Sequence, residues 1–207
     1  MTDLVRGADG RRRCKWGADP PDYLEYHDRE WGRPLGDEIR IYEKLCLEGF
    51  QSGLSWLTIL RKRDGFRAAF AGFDPEKVAR FGARDVSRLL RDAAIVRHRG
   101  KIEATIANAR ATLAVRDDGR TLAGLVWSHE PQGRRRAPKG FADLAGVTAE
   151  STALAKELKR YGFRFVGPTT AYAAMQSLGL VNDHLVGCAA RAECTTARDA
   201  FTPPPSK

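Results

Sequence analysis

The chain has 207 residues, of which 43% are hydrophobic and 29% are charged, a composition that is ordinary for a globular protein. This composition excludes collagen, a coiled-coil rod and a wholly disordered chain, and the length suits one well-buried domain better than two. The 35 Lys and Arg residues outnumber the 26 Asp and Glu residues, which gives a formal net charge of +9. This surplus favours a polyanionic partner such as nucleic acid; an arginine surplus without a particular ligand is the alternative.

The sequence contains no apolar run of about 18 residues, and its N-terminus lacks the apolar core of a secretory signal. We therefore expect a cytoplasmic protein without a membrane partner. Neither the length nor the N-terminus fits a small secreted protein with a disulfide framework, so metal binding or burial better explains the cysteines. Cys46 lies in an apolar run and is expected in the core, and Cys194 has no predicted ligand role.

Helix signals dominate the chain. Apolar spacing and capping residues predict six helices, in chain order at about 37–50, 55–70, a short helix opening at Pro75, 84–93, 101–115 and 151–161. Asp74 before Pro75 and Ser55 are typical N-caps. The one strand-like run is FRFV at 163–166, and it has no evident partner. The sequence therefore predicts an all-α fold.

Three polar segments flank or interrupt this helical core. Residues 1–13 are polar and basic, and we expect them to form a flexible extension. Residues 195–207, which end in TPPPSK, are expected to form a flexible tail. The predicted domain covers 14–194, with a connecting loop at about 128–147 that is rich in Gly, Pro and Arg.

Two Cys/His pairs at opposite ends of the chain form a candidate metal site. Cys14 and His27 lie near the N-terminus, whereas His184 and Cys188 have the i, i+4 spacing that predicts one face of a helix. Together they provide the four ligands of a tetrahedral zinc ion, with no position left open for water. The alternative for each pair is a buried cysteine beside a hydrogen-bonded histidine.

Aromatic residues cluster around one acidic residue in the first third of the chain. Such Trp and Tyr side chains serve either as core or as walls of a cavity that stacks a flat ring. The presence of Glu48 favours the interpretation as a cavity. A carboxylate in an apolar segment is costly unless a group with amino donors or positive charge, such as a ligand, interacts with it. The aromatic residues concerned are Trp16, Tyr23, Tyr26, Trp31 and Trp56.

The segment between the predicted helices 84–93 and 101–115 is similar to a helix-hairpin-helix turn, in which backbone N–H groups contact a DNA phosphate. Gly100 and the small residue Ala104 fit that pattern, but His98 stands where the first glycine is expected. A solvated basic loop is the alternative. The candidate DNA-contacting residues are Arg97, His98, Arg99, Gly100 and Lys101.

Six sequence blocks stand in order along the chain: CKW at 14–16, YHDREWG at 26–32, LEGFQSGLSW at 47–56, IVRHRGKI at 95–102, FRFVG at 163–167 and VNDHLVGC at 181–188. Together they resemble the type I 3-methyladenine DNA glycosylase family. Several ordered blocks are far more specific than any one motif, and they extend over most of the chain. The basic residues before Cys14 and the Arg-rich loop at 128–147 depart from the family pattern.

The resemblance implies a single-domain helix-hairpin-helix glycosylase fold in which a structural zinc joins the N- and C-terminal segments. The family's zinc ligands fall on Cys14, His27, His184 and Cys188. Its base pocket falls on Trp16, Tyr23, Tyr26, Glu48 and Trp56.

The implied activity is monofunctional excision of 3-methyladenine from alkylated double-stranded DNA by a monomeric enzyme, with the free base as product. We expect the base to flip into the aromatic pocket, with Glu48 as the catalytic residue. Two alternatives stay open: a zinc-stabilised DNA-binding protein without catalysis, and a glycosylase of broader alkylpurine range. The first alternative has no use for a carboxylate among aromatic rings.

Overall fold

The computed structural model describes residues 3–133 and 135–206. Residues 1–2, 134 and 207, which belong to the predicted extension, loop and tail, lie outside the described residues. The described residues form eleven α-helices: α1 (Pro21–Arg29), α2 (Glu38–Gln51), α3 (Trp56–Arg61), α4 (Arg63–Ala69), α5 (Pro75–Val78), α6 (Ala83–Leu89), α7 (Arg99–Asp117), α8 (Leu122–Trp127), α9 (Ala149–Arg160), α10 (Pro168–Ser177) and α11 (Ala189–Asp199). The prediction of a helix-dominated fold is confirmed. None of these helices is both long enough and apolar enough to cross a membrane.

A two-stranded hairpin precedes the first helix and corrects the prediction that the fold is all-α. Strands β1 (Leu4–Arg6) and β2 (Arg12–Cys14) pair antiparallel. Gly10 in the connecting turn has φ +78°, a conformation that glycine adopts without strain. Arg13 is buried and donates to both carboxylate oxygens of Asp28 at 2.8–3.1 Å. Backbone pairing and this ion pair attach to the domain a segment that was expected to be a flexible extension.

Helix α2 lies at the centre of the fold. Asp37 begins it as an N-cap, because its carboxylate accepts a hydrogen bond from the Arg40 N–H at 2.8 Å. Residues 41–50 are all buried, since α3, α7, α8 and α10 pack around the helix. The Tyr42 hydroxyl donates to the carbonyl oxygen of Thr105 in α7 at 2.8 Å. A functional side chain within residues 41–50 therefore lies inside the protein.

The segment predicted as one helix over 55–70 forms two helices, α3 and α4. Ser55 caps the first helix, as predicted, by accepting a backbone N–H. Lys62 departs from helical angles, with φ −97° and ψ 1°, and separates the two helices. After this break, Phe66 packs in the core against Phe50, with ring centroids 4.5 Å apart.

The strand-like run at 163–166 lies in a loop and forms no strand. Asn108 of α7 accepts a hydrogen bond from the Arg164 N–H at 2.7 Å and donates to the Arg164 carbonyl oxygen at 3.2 Å. One side chain therefore takes both backbone groups that a neighbouring strand would use. Phe165 follows with φ +55°, outside the β region.

The C-terminal segment differs from the prediction at the two metal-ligand candidates. His184 lies in a loop, and Cys188 stands immediately before α11, so the predicted helical face shared by these residues is wrong. A tight turn replaces it, in which the Cys188 N–H donates to the Leu185 carbonyl oxygen at 2.9 Å and Gly187 has φ +90°. An i, i+4 spacing fits such a turn as well as a helix.

Helix α11 continues through residue 194, which was the expected end of the domain, to residue 199. Residues 200–206, expected as part of a flexible tail, contact α8 and its surroundings. The ring of Phe201 lies 4.8 Å from the ring of Trp127, and Arg120 donates to the Ser206 carbonyl oxygen at 3.0 Å. The segment after α11 therefore covers part of the core surface.

We expect Phe201→Ala to lower the free energy of unfolding by about 1–2 kcal/mol, because a half-buried ring contributes less than the roughly 3–5 kcal/mol of a fully buried one. Chemical denaturation of both proteins measures this difference. Val147→Ala removes an exposed apolar side chain and provides the control. Equal stability of Phe201→Ala and the control would show that the C-terminal segment does not pack on the core in solution.

Candidate functional site

Four buried metal-ligand candidates meet at one point. The nearest ligand atoms of Cys14, His27, His184 and Cys188 all lie within 4.8 Å of one another. Strand β2 and helix α1 bring the first two residues to this point, and the turn before α11 brings the other two. The N- and C-terminal segments of the chain therefore converge on one Cys2His2 cluster.

The spacing of the donor atoms fits a tetrahedral ion. Zinc bonds of about 2.0–2.1 Å to nitrogen and 2.3 Å to sulfur place neighbouring nitrogens about 3.3 Å apart, and nitrogen and sulfur about 3.6 Å apart. The distance between His27 Nε2 and His184 Nδ1 is 3.2 Å. Cys188 Sγ lies 3.6 Å from each of these nitrogens. The cluster can therefore hold a four-coordinate metal ion.

Neighbouring groups orient both histidines. The carbonyl oxygen of Trp31 lies 3.0 Å from His184 Nε2 and can only accept, so this nitrogen carries the proton and Nδ1 keeps its lone pair for a ligand bond. Asp28 Oδ1 lies 2.8 Å from His27 Nδ1 and acts in the same way. Burial alone would raise the pKa of Asp28, but Arg13 and His27 together hold it below its ordinary value.

The cysteine chemistry agrees with a metal site. The neighbouring Cys14 thiol, with support from His184 and His27, outweighs burial and lowers the pKa of Cys188 well below its ordinary value. A lowered pKa favours the thiolate, which is the form that binds metals. Cys188 and burial instead raise the pKa of Cys14, so without a metal one cysteine of the pair favours the thiolate and the other the thiol. The structure thus brings the four sequence-predicted ligands together with their donor atoms directed at one point.

A cavity of about 250 Å³ lies beside this cluster. The structure places in its lining all five residues that were expected to form a base pocket: Trp16, Tyr23, Tyr26, Glu48 and Trp56. Trp31, which belongs to the same aromatic group, also lines it and contacts the ring of His184 at 4.7 Å. The metal cluster therefore supports one wall of the cavity.

Aromatic rings give the cavity its shape. Trp16 packs edge-on against Tyr23, with ring centroids 5.8 Å apart, and Tyr26 lies 5.4 Å from Trp56. The Tyr23 oxygen accepts a hydrogen bond from the Leu57 N–H at 3.0 Å, which fixes that ring at the start of α3. Such faces accept a flat ring, and they attract it more strongly when it carries positive charge.

Two buried polar groups of the lining are available to a ligand. Glu48, in α2, is 6% exposed, and burial raises its pKa above the ordinary value although Lys44 acts in the opposite direction. Among the described residues, the buried indole N–H of Trp56 has no hydrogen-bond partner. Buried polar groups without partners cost free energy. An acceptor atom of a ligand would satisfy the Trp56 N–H, and a donor or a positive charge on the ligand would interact with the Glu48 carboxylate.

The five candidate DNA-contacting residues do not all face outwards. Arg97, His98 and Arg99 are exposed, and His98 begins α7 by accepting a hydrogen bond from the Lys101 N–H at 3.2 Å. The Lys101 ammonium instead points inwards and donates to the carbonyl oxygen of Phe50 at 2.8 Å, and also to that of Ser52. These carbonyl groups end α2 and would otherwise lack helical partners. Lys101 therefore stabilises the end of the helix that carries Glu48.

Sequence reasoning missed four lining residues and one neighbour of the cavity. Leu144 comes from the long loop before α9, and Ala173 and Gln176 come from α10, where their i, i+3 spacing was the only signal. Gln51 follows Glu48 by three residues and lies in a block that was already singled out. Lys44, one turn before Glu48, carries its ammonium over the rings of Tyr26 and Trp56.

Comparison with known proteins identifies the family. The family model described as methyladenine glycosylase matches residues 16–192. The chain belongs to the methyladenine glycosylase family. Among relatives, DNA-3-methyladenine glycosylase 1 of Escherichia coli (strain K12) is 49% identical over 179 residues, 85% of this chain and 95% of that protein. DNA-3-methyladenine glycosylase of Haemophilus influenzae is 44% identical over 182 residues, 85% of this chain and 96% of that protein.

Solved structures of the methyladenine glycosylase family share the fold. A crystal structure of 3-methyladenine DNA glycosylase I superimposes with a TM-score of 0.82 at 48% identity, covering 86% of this chain and 98% of that one. The 3-methyladenine DNA glycosylase I from Staphylococcus aureus gives the same TM-score at 37% identity, covering 86% and 96%. The helical scaffold around the cavity is therefore that of the family.

Proposed function

We propose that this chain is a DNA-3-methyladenine glycosylase, which hydrolyses the N-glycosidic bond of 3-methyladenine in alkylated double-stranded DNA. The observation that carries the proposal is the buried Glu48 carboxylate in an aromatic cavity, in a member of the methyladenine glycosylase family. A flipped base enters the cavity because an enzyme that acts on a base in a duplex must first take it out of the stack. We also propose that the protein is a monomer and acts in the cytoplasm.

Charge explains both selectivity and reaction. Alkylation at N3 makes adenine cationic, so the faces of Tyr26 and Trp56 attract it more than a neutral adenine, and the Glu48 carboxylate adds direct attraction. As the bond between C1′ and the base breaks, the bonding electron pair leaves with the base and neutralises it. Water adds to C1′ and releases its proton to solvent. Glu48 is the catalytic residue in this account because it contacts and holds the base that departs.

We propose zinc as the ion of the Cys2His2 cluster. Two thiolates and two imidazoles form a common structural zinc set, and the donor spacing supports it. Because four protein ligands leave no open position, the ion would cross-link the chain ends and would take no part in hydrolysis. Because Trp31 contacts His184 and lines the cavity, the cross-link also stabilises the base pocket.

We propose that the turn before α7 is a helix-hairpin-helix element that contacts DNA phosphates. The N-terminus of a 19-residue helix offers the N–H groups of Arg99 and Gly100, which have no acceptor within the helix, and Arg97 and Arg99 add exposed positive charge. The sequence predicts a phosphate contact for Lys101 as well. Its ammonium is hydrogen-bonded inside the protein, so we propose no charge contact between Lys101 and DNA.

Two alternatives lead to different products. A zinc-stabilised DNA-binding protein releases no base from methylated DNA, whereas the proposed enzyme releases free 3-methyladenine. A glycosylase of broader range also releases other alkylpurines such as 3-methylguanine at comparable rates. Chromatography of the bases released from methylated DNA separates these outcomes.

Glu48→Gln should reduce excision of 3-methyladenine by about tenfold or more, because a hydrogen bond to a charged group contributes about 1.5–3 kcal/mol. The substitution keeps the side-chain shape and should leave the melting temperature close to that of the wild-type protein. Single-turnover assays on methylated DNA measure the rate. Glu25→Gln, on the exposed face of α1, serves as control. Full excision by a folded Glu48→Gln protein would make Glu48 a structural residue.

Cys188→Ala should lower bound zinc and the melting temperature together. Elemental analysis of the purified protein gives the metal content, and we expect about one zinc per wild-type chain. Cys46→Ala removes a buried cysteine that is not part of the cluster, and should lower stability while zinc is retained. The proposed site would be contradicted if the wild-type protein is purified without zinc and its melting temperature does not change when zinc is added.

Joint replacement of Arg97 and Arg99 by Ala should weaken binding to all DNA sequences alike and reduce the slope of log affinity against log salt by about one for each lost phosphate contact. Lys101→Met should instead lower the melting temperature and leave that slope unchanged, because its ammonium bonds to α2. Fluorescence anisotropy at several salt concentrations measures the slope. If the double arginine variant keeps the salt dependence of the wild-type protein, the DNA phosphates contact another surface.

A further inference from the structure

A buried lysine lies directly behind the aromatic wall of the cavity. Lys44 precedes Glu48 by one turn of α2, and the two residues are only 9% and 6% exposed. The Lys44 ammonium donates to the Tyr26 hydroxyl oxygen at 2.9 Å. It lies 4.7 Å from the centroid of the Tyr26 ring and 4.4 Å from that of Trp56. Its charge is therefore adjacent to three residues that line the cavity.

Lys44 does not itself line the aromatic cavity. It lines a second cavity of about 230 Å³, together with Leu47 and Ser177. The rings of Tyr26 and Trp56 thus separate its ammonium from the space where a base would bind. A group in this position acts on the base through the residues of the wall and not by contact.

The other charged groups around Lys44 already have partners. Glu30, after α1, forms an ion pair with Arg63 of α4, with the shorter of its contacts at 2.5 Å. Glu43, on the same helix as Lys44, pairs with Arg67 at 2.8 Å and with Arg40 at 3.2 Å.

Glu48 differs from these acids. Within the described residues it forms no ion pair, and the groups that face it besides Lys44 are the uncharged hydroxyls of Ser177, in α10, and Tyr26. Of the acidic groups that face Lys44, Glu48 alone therefore depends on the lysine for compensation of its charge.

We propose that Lys44 is a positioning residue that keeps Glu48 in its carboxylate form before the damaged base enters the cavity. This inference rests on the proposed role of Glu48 as the group that holds the cationic base. An empty cavity would otherwise favour the neutral acid, which has no charge to attract the base. The lysine supplies the compensating charge from behind the wall, so the space for the base stays open.

The directions of the pKa shifts of Glu48 and Lys44 agree with this role of the lysine. Burial raises the pKa of Glu48, and the charge of Lys44 lowers it. Burial likewise lowers the pKa of Lys44, and Glu48 is the largest influence that raises it. Each group therefore favours the charged form of the other. When pH falls through the raised pKa of Glu48, the carboxylate is lost, and with it the attraction for the base.

The test compares the pH dependence of Lys44→Met with that of the wild-type protein. Removal of the lysine charge should raise the midpoint of the acidic limb of kcat/KM by about one pH unit, the lower end of the effect of an opposite charge in close range. At the wild-type midpoint, excision should then fall from half to about one-tenth of its plateau. Titration of the Glu48 carboxyl by ¹³C NMR, assigned with Glu48→Gln, should show the same displacement without reference to activity.

Matched variants make the result specific. Lys44→Arg keeps the charge and should retain the wild-type midpoint. Lys77→Met removes an exposed lysine from α5, which pairs with Asp74, and should also leave the midpoint unchanged. If Lys44→Met does not fold, Lys44→Gln removes the same charge while keeping a polar end, and the NMR titration is made on that protein.

An unchanged Glu48 midpoint in a folded charge-removing variant would overturn the inference. That outcome is distinct from failure of the proposed function, which appears when Glu48→Gln excises 3-methyladenine at the wild-type rate. The inference would also be contradicted if the Lys44→Arg protein shows the same displaced midpoint as Lys44→Met. The displacement would then come from packing and not from charge.

Discussion

The burial of one carboxylate in an aromatic cavity is the constraint on which the site depends. Glu48 lies on the central helix α2, where its neighbours exclude water and burial raises its pKa. A carboxylate in such a place is costly unless another charge compensates it. The fold provides Lys44 behind the wall, and the proposed substrate provides a cationic base in front of it. Selectivity for alkylated adenine follows, since a neutral base gives no such compensation.

The rest of the fold holds this cavity in shape. The Cys2His2 cluster joins the hairpin, α1 and the turn before α11, and it contacts the cavity through Trp31. Lys101, in the first turn of α7, bonds to the carbonyl groups at the end of α2. The proposed DNA-contacting turn therefore lies next to the end of α2 that carries Glu48.

Sequence alone indicated the chemistry better than the local structure. Rare residue types, two cysteines and two histidines, led to the cluster, but their i, i+4 spacing did not distinguish a helix from the turn that His184 and Cys188 form. Lys44 and Lys101 were missed as buried groups because lysine is usually solvated, and the partners that hold them inside are a tyrosine hydroxyl and backbone carbonyl groups of other elements. Such partners are set by tertiary packing and leave no pattern in the sequence.

Binding of an alkylated base in the cavity, in contact with Glu48, underlies the proposed selectivity and reaction. A crystal structure of the protein with 3-methyladenine tests this most directly. We expect the base beside the rings of Tyr26 and Trp56, with a Glu48 oxygen within hydrogen-bond distance of a base nitrogen. A base bound outside this cavity, or inside it without contact to Glu48, would contradict the proposed role of Glu48.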